Sequence, residues 1–301
     1  MAIIATGNYP KALWPGVLAW WGSEYNRHDK QYDKLFDMKS STQNYEELVQ
    51  NLGFGLVPVK PEGEGTRYDT TVQGYTTRFT NVAYSLGFIC TREELADNLY
   101  PKVVRDRTTA LAESANQTRE NVGANIYNRV TNSTFKGGDL VALGSTAHPT
   151  VAGDQSNILA IAADLSEASL EDLTIQMRDA LDPKGLKANI RPKSLIVPTA
   201  LVFEAQRILK GNLRVATADN DPNALKLLGE IPEIVVNNYL TDSDQWFIRS
   251  DVSNGLCWFD RESVQFTNDT DYDTDNVKHK LYFRFIPGWA DWRSLYSSAG
   301  A

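Results

Sequence analysis

Small and apolar residues recur at helical spacing over about 30 positions near the middle of the chain: Val104, Thr108, Leu111, Ala115, Thr118, Val122, Ile126 and Val130. Steps of three and four return to one side of a 3.6-residue helix. A helix of that length is a rod of roughly 45 Å. That is more than twice the mean helix length of about 11–12 residues. The stripe is narrow, so the rod is predicted to pack along one side and leave its other sides to water or to partners. Thr91-Arg92-Glu93-Glu94 upstream fits a capping box, with Glu94 reaching back to the Thr91 amide. Pro101 then predicts a short first helix or a kink before the rod.

The flanking segments are of other kinds. Residues 1–55 read as an irregular arm with short helical pieces. Trp14, Trp20 and Trp21 lie close together in it, and Tyr45–Leu52 is a weak helix ended by Gly53 and Gly55. Residues 56–90 carry β-branched and aromatic residues around the polar tip Pro61-Glu62-Gly63-Glu64-Gly65, and predict a long hairpin or extended loop. So little apolar content needs something to lie against. Leu170, Leu173, Met177 and Leu181 predict a second helix, stopped at Asp182-Pro183-Lys184-Gly185. Ser194–Val197, between two prolines, reads as a short buried strand, and Pro198 opens a helix ending near Gly211. Strands are predicted at Ile234–Leu240, Trp246–Arg249, Leu256–Glu262 and Lys280–Ile286. In the last, Leu281, Phe283 and Phe285 alternate with Tyr282, Arg284 and Ile286. No internal repeat is present, and the mixture is α+β.

The 301 residues suggest about two domains. A net charge of −8 argues against a chain whose task is to grip nucleic-acid phosphates, though not against one that encloses nucleic acid. Two cysteines, Cys90 and Cys257, are too few for a disulfide framework or a cysteine zinc site, and point to a reducing compartment. Neither a membrane span nor a signal peptide is legible.

Reactive constellations are equally absent from the pattern. His28, His148 and His279 have no metal-binding spacing and no nucleophile elbow beside them. His148, before Pro149, reads as a loop anchor rather than a catalyst. Asp269–Asp275 fails as an EF-hand, because Thr274 stands where the turn needs glycine and Lys280 where it needs glutamate. A solvated acidic turn is the favoured reading and a cation site the alternative. No phosphate-binding glycine loop is present. No cofactor and no catalytic residue is expected. What remains is a chain built for contacts, with seven Trp clustered toward both chain ends, of the residue type that interface cores favour.

The order of these elements resembles the major capsid proteins of tailed bacteriophages, of the Hong Kong 97-type fold, and within them the Mu-like major head subunits. The segments that carry the resemblance are Tyr84–Asp106, Gly144–Thr150, Leu186–Leu209, Gly255–Glu262 and Lys280–Ser298. The resemblance implies an N-terminal arm (1–55), an extended β-hairpin loop (56–90), a peripheral domain with a spine helix (91–190 and 255–301) and an axial domain (191–254). It implies self-assembly into pentamers and hexamers of an icosahedral shell in the virion. The shell would be built in the host cytoplasm, with portal, scaffolding and decoration proteins as partners, and would enclose double-stranded DNA without sequence-specific binding. Some relatives cross-link through a loop lysine; here the loop tip holds Arg67 and only Lys60 at its base, which implies a non-covalent shell. With no long helix before the arm, a fused scaffolding segment is not expected. Subunit contacts are expected at Trp14, Trp20 and Trp21 in the arm, Arg67 and Arg78 in the hairpin, and Glu93, Arg105 and Arg119 on the spine helix. The alternatives are a compartment shell of the encapsulin kind with the same fold, and a metal-dependent or carbohydrate-active enzyme using the Asp269–Asp275 cluster.

Overall fold

The structure, a computed structural model, describes residues 10–96, 100–214 and 221–300. Its elements in chain order are α1 (Pro10–Arg27), α2 (Tyr32–Leu35), β1 (Asp37–Ser40), β2 (Tyr45–Asn51), β3 (Gln73–Thr80), β4 (Val82–Cys90), α3 (Arg92–Ala96) and α4 (Tyr100–Asn128). There follow α5 (Glu167–Asp179), β5 (Pro192–Val197), α6 (Val202–Lys210), α7 (Ala224–Leu228), β6 (Glu233–Val236), β7 (Trp246–Ser250), β8 (Leu256–Thr270), β9 (Val277–Trp289) and β10 (Leu295–Ser298).

The rod is α4, with Pro101 in its first turn, where a missing N–H costs nothing. The capping box ahead of it forms as predicted: the Glu94 amide donates to Thr91 Oγ1 and the Thr91 amide to Glu94 Oε2, each at 3.3 Å. The buried surface of α4 is wider than the predicted stripe. Val104, Thr108, Leu111, Ala115 and Val130 are buried, but so are Ala112, Asn116, Arg119, Glu120, Ala124 and Tyr127. The reason is the arm, expected to be irregular with short helical pieces: α1 is an 18-residue helix lying along α4, and the following segment through α2 continues beside it. Asn116 Nδ2 donates to the Tyr25 carbonyl and Tyr127 Oη to the Leu35 carbonyl, so the two chain segments run side by side in the same direction. Gly123 lets aromatic rings pack close against α4. A Cβ there would stand 3.3 Å from the Trp258 ring and 3.4 Å from Phe36.

Two four-stranded sheets carry the rest. The first has the order β1-β8-β9-β4, with β1 parallel to β8 and the other pairs antiparallel. The alternation predicted for β9 holds: Leu281, Phe283 and Phe285 lie in the main core with Trp258, and β9 packs against α4. The second has the order β10-β7-β5-β6. One of its faces, with Ile196, Val235, Phe247 and Leu295, meets the main core. The other, with Leu195, Val197, Trp246, Ile248 and Tyr296, packs on α5, α6 and α7. This second core takes in α5 and β10, from outside residues 191–254.

Two segments differ from expectation. Tyr45–Asn51 is strand β2, exposed and half-buried by turns, rather than a weak helix. Its partner is β3, in the register Glu47 to Arg78 and Leu48 to Thr77. The hairpin therefore spans Tyr45–Thr80 instead of lying within 56–90, and β4 belongs to the first sheet. The strand expected to reach Leu240 stops at Val236. No helix among the described residues is long and apolar enough to cross a membrane.

Candidate assembly surfaces

The hairpin β2–β3 stands on the irregular segment between α4 and α5. Tyr75 Oη donates to the Pro149 carbonyl at 2.5 Å. Gly138 lies so near β3 that a Cβ would come within 2.7 Å of Thr77 Oγ1, so no larger residue fits under the hairpin. Between the loop end of the hairpin and the body lies a pocket of about 280 Å³ lined by Tyr75, Pro149, Val151, Leu181 and Trp292. Beyond the strands, residues 52–72 form no helix or strand. Within this loop Asp69 accepts from the Gly55 amide at 3.0 Å and from Lys184 Nζ at 3.2 Å, and these bonds hold its carboxyl down to about 2. Its apolar side chains are uncovered: Val57 is 94% and Val59 93% exposed, with Phe54, Leu56 and Tyr68 also exposed. Large exposed apolar side chains gathered in one loop are unusual on a subunit's surface.

The platform beneath is locked by His148, the loop anchor expected from sequence. Its ring is fully buried and stacks flat on Trp292, centroids 4.4 Å apart. Nδ1 is 2.6 Å from Asp139 Oδ2, and Nε2 is 3.2 Å from Asn157 Oδ1. Asn157 Nδ2 reaches the carbonyls of Leu143, Trp292 and Leu295, at 2.6, 3.2 and 2.9 Å. Between Asp139 and Val141 the chain turns through Leu140 with φ of +64°, although its side chain is 74% exposed. A left-handed backbone costs a non-glycine residue roughly 1–2 kcal/mol.

The residues expected at subunit contacts fall into two groups. Arg67, Arg78, Glu93 and Arg105 are exposed. Arg78 is already paired with Glu47 at 2.7 Å and lies over the Tyr45 ring. Trp20 is half-buried, and the side chain of Trp14 lies outside the described residues. Trp21 and Arg119 correct the expectation, because both are enclosed in their own subunit. Trp21 stacks on Phe266 with centroids 4.8 Å apart. Arg119 is 4% exposed, bonds Asp260 Oδ2 at 2.5 Å and sits among Tyr32, Trp258 and Phe285. Phe266 under Trp21 and Asp260 at Arg119 each lie more than a hundred residues away in sequence, so no local pattern announces them.

Chemistry is not gathered anywhere comparable. Asp269–Asp275 is the turn of the β8–β9 hairpin, with Asp271 bonded to Lys278 Nζ at 2.5 Å and to the Asp273 amide, and Asp275 paired with Arg92. Among the described residues no three His, Cys, Asp or Glu side chains are grouped to hold a metal ion. Cys90 and Cys257 are buried, which pushes both thiols up. Glu120, buried on α4, accepts from the Gln31 amide at 2.7 Å and stands 3.4 Å from His28 Nε2; burial raises its carboxyl.

The phage capsid protein family model matches residues 74–298, from β3 to the last strand. The chain belongs to the phage capsid protein family. Capsid proteins are structural components of the virion, and the fold agrees. The capsid of a native GTA particle superposes with a TM-score of 0.59 at 11% identity, over 90% of each chain. The Mycobacterium phage Patience structure gives 0.52 at 10% identity, over 98% of this chain and 88% of that one. The Microbacterium phage Oxtober96 structure gives 0.51 at 12% identity, over 91% and 92%. At such identities the shared property is the fold, the Hong Kong 97-type capsid fold. No curated protein matches this capsid sequence.

Proposed function

We propose that this capsid protein is a major head subunit that assembles as pentamers and hexamers into an icosahedral shell around double-stranded phage DNA. The observation that carries the reading is the family match joined to a loop, residues 52–72, whose apolar side chains nothing in the subunit covers. Neighbouring subunits would cover them, in head-to-tail contacts that close into rings. In this reading the hairpin Tyr45–Thr80 is the extended loop. The first sheet with α4 is the peripheral domain, and the second sheet with its helices the axial one. The net charge of −8 suits a wall that encloses DNA without gripping it. Portal, scaffolding and decoration proteins would be its partners in the virion, with assembly in the host cytoplasm.

The shell would be held without covalent cross-links, since a guanidinium such as that of Arg67 is a poor nucleophile; Lys60 is the one loop side chain that could make such a bond. Two measurements test the reading. Electron microscopy of concentrated protein should show closed particles tens of nanometres wide, by the size of known shell subunits and the roughly 45 Å length of α4. A species that stays monomeric at every concentration would refute it. Denaturing electrophoresis of those particles should show a single band, and a ladder of oligomers would refute the non-covalent shell.

A further inference from the structure

We propose that Leu140 is a subunit contact, inserted into an apolar recess on a second copy of this chain. The inference rests on the shell reading and names one residue that makes the shell. Leu140 occupies a left-handed backbone position at φ +64°, where glycine or asparagine would sit without strain. The turn is fixed from both sides. Its first residue donates to the Val141 carbonyl at 2.8 Å, and the Leu140 amide donates back to the Gly137 carbonyl at 3.1 Å. Asp139 is held by His148 below, and Gly138 is pressed under the hairpin. The backbone thus keeps this shape for reasons that do not involve the Leu140 side chain.

That side chain is 74% exposed, so it contributes little to its own subunit's core. The subunit therefore carries two unfavourable features at one position: a strained backbone for a branched residue, and a large apolar group in water. Strain that a fold does not need points to function at the strained residue. An apolar knob on a rigid platform answers both, if a neighbouring copy supplies the recess. A second copy is the occupant because the chain is of a capsid family, and because the same platform carries the hairpin whose apolar loop is also uncovered.

The test compares wild type with Leu140→Gly, Leu140→Asn and Leu140→Met. Glycine and asparagine relieve the strain, so the isolated subunits should unfold at the same or higher denaturant concentration than wild type. Their assembly, followed by light scattering and sedimentation, should need about tenfold more protein, since one buried leucine is removed from each contact. Methionine keeps an apolar knob and should assemble close to wild type. Assembly of the Gly and Asn variants at wild-type concentrations would overturn the proposal. So would loss of stability in the isolated Gly variant, which would give Leu140 a role in its own fold. Failure of wild type itself to assemble would overturn the shell reading, and this proposal with it.

Discussion

Arg119 on α4 and Asp260 on β8 are joined by a 2.5 Å hydrogen bond that ties the long helix to the first sheet. The guanidinium lies within 5.0–5.5 Å of the ring centroids of Tyr32, Trp258 and Phe285, so it is held by charge and by ring faces together. Removing one partner of a buried pair leaves the other charge uncompensated. Arg119→Ala should lower subunit stability by about 3 kcal/mol in urea unfolding. Arg119→Lys should recover only part of this, because a point charge cannot lie flat on three rings.

His279 on β9 is buried beside Phe88 and Phe266, and burial pushes its imidazole down to about 4. In the unfolded chain the group titrates near 6.5. Above about 6.5 both states are neutral and the stability is fully present. As pH falls from there to about 4, the unfolded state takes a proton that the folded state refuses. About 3 kcal/mol is lost across that window. Urea unfolding at several pH values should show the loss in wild type and a flatter profile in His279→Phe.

Asn157 joins the 137–157 platform to the end of the chain through three carbonyls and the Ser145 amide. Asn157→Ala would leave those carbonyls and the His148 ring short of partners in a buried place. A loss of about 2–4 kcal/mol is expected. Hydrogen exchange should quicken in residues 137–157 first, and then in β3 around Tyr75, which bonds the Pro149 carbonyl.

Chymotrypsin should cut free subunits in residues 52–72, after Phe54, Leu56 or Tyr68, before it cuts elsewhere. Lys184→Ala removes the tether to Asp69 and should speed that cleavage without changing the denaturant midpoint. Assembled particles should resist it. Equal cleavage of free and assembled protein would show that the loop is not covered by neighbours.

The sequence reading succeeded where a pattern is local. The α4 stripe, the Thr91–Glu94 cap and the β9 alternation each depend on residues a few positions apart. It failed where the deciding partner is distant. Tyr45-Glu46-Glu47-Leu48 contains good helix formers, yet the segment is a strand because β3 pairs with it across the intervening 52–72 loop. The helix α1 carries Pro15 and three Trp without a clear period, and it is helical with α4 alongside it. Trp21 and Arg119 are residue types that suit a subunit contact as well as a core, and the distant Phe266 and Asp260 help to enclose them in their own subunit. Leu140 had no signal at all, since an exposed leucine is ordinary until its backbone angle is known.

The second sheet is closed by β10, and the first by β9, both supplied by the last part of the chain. Residues 277–298 must therefore leave the ribosome before either sheet can be completed, and their pairings span long stretches of sequence. A nascent or truncated chain would have neither sheet whole and so no finished surface to offer a neighbour. Both sheets thus wait on the same final stretch of chain, and translation has to run through β10 before the subunit's fold is whole.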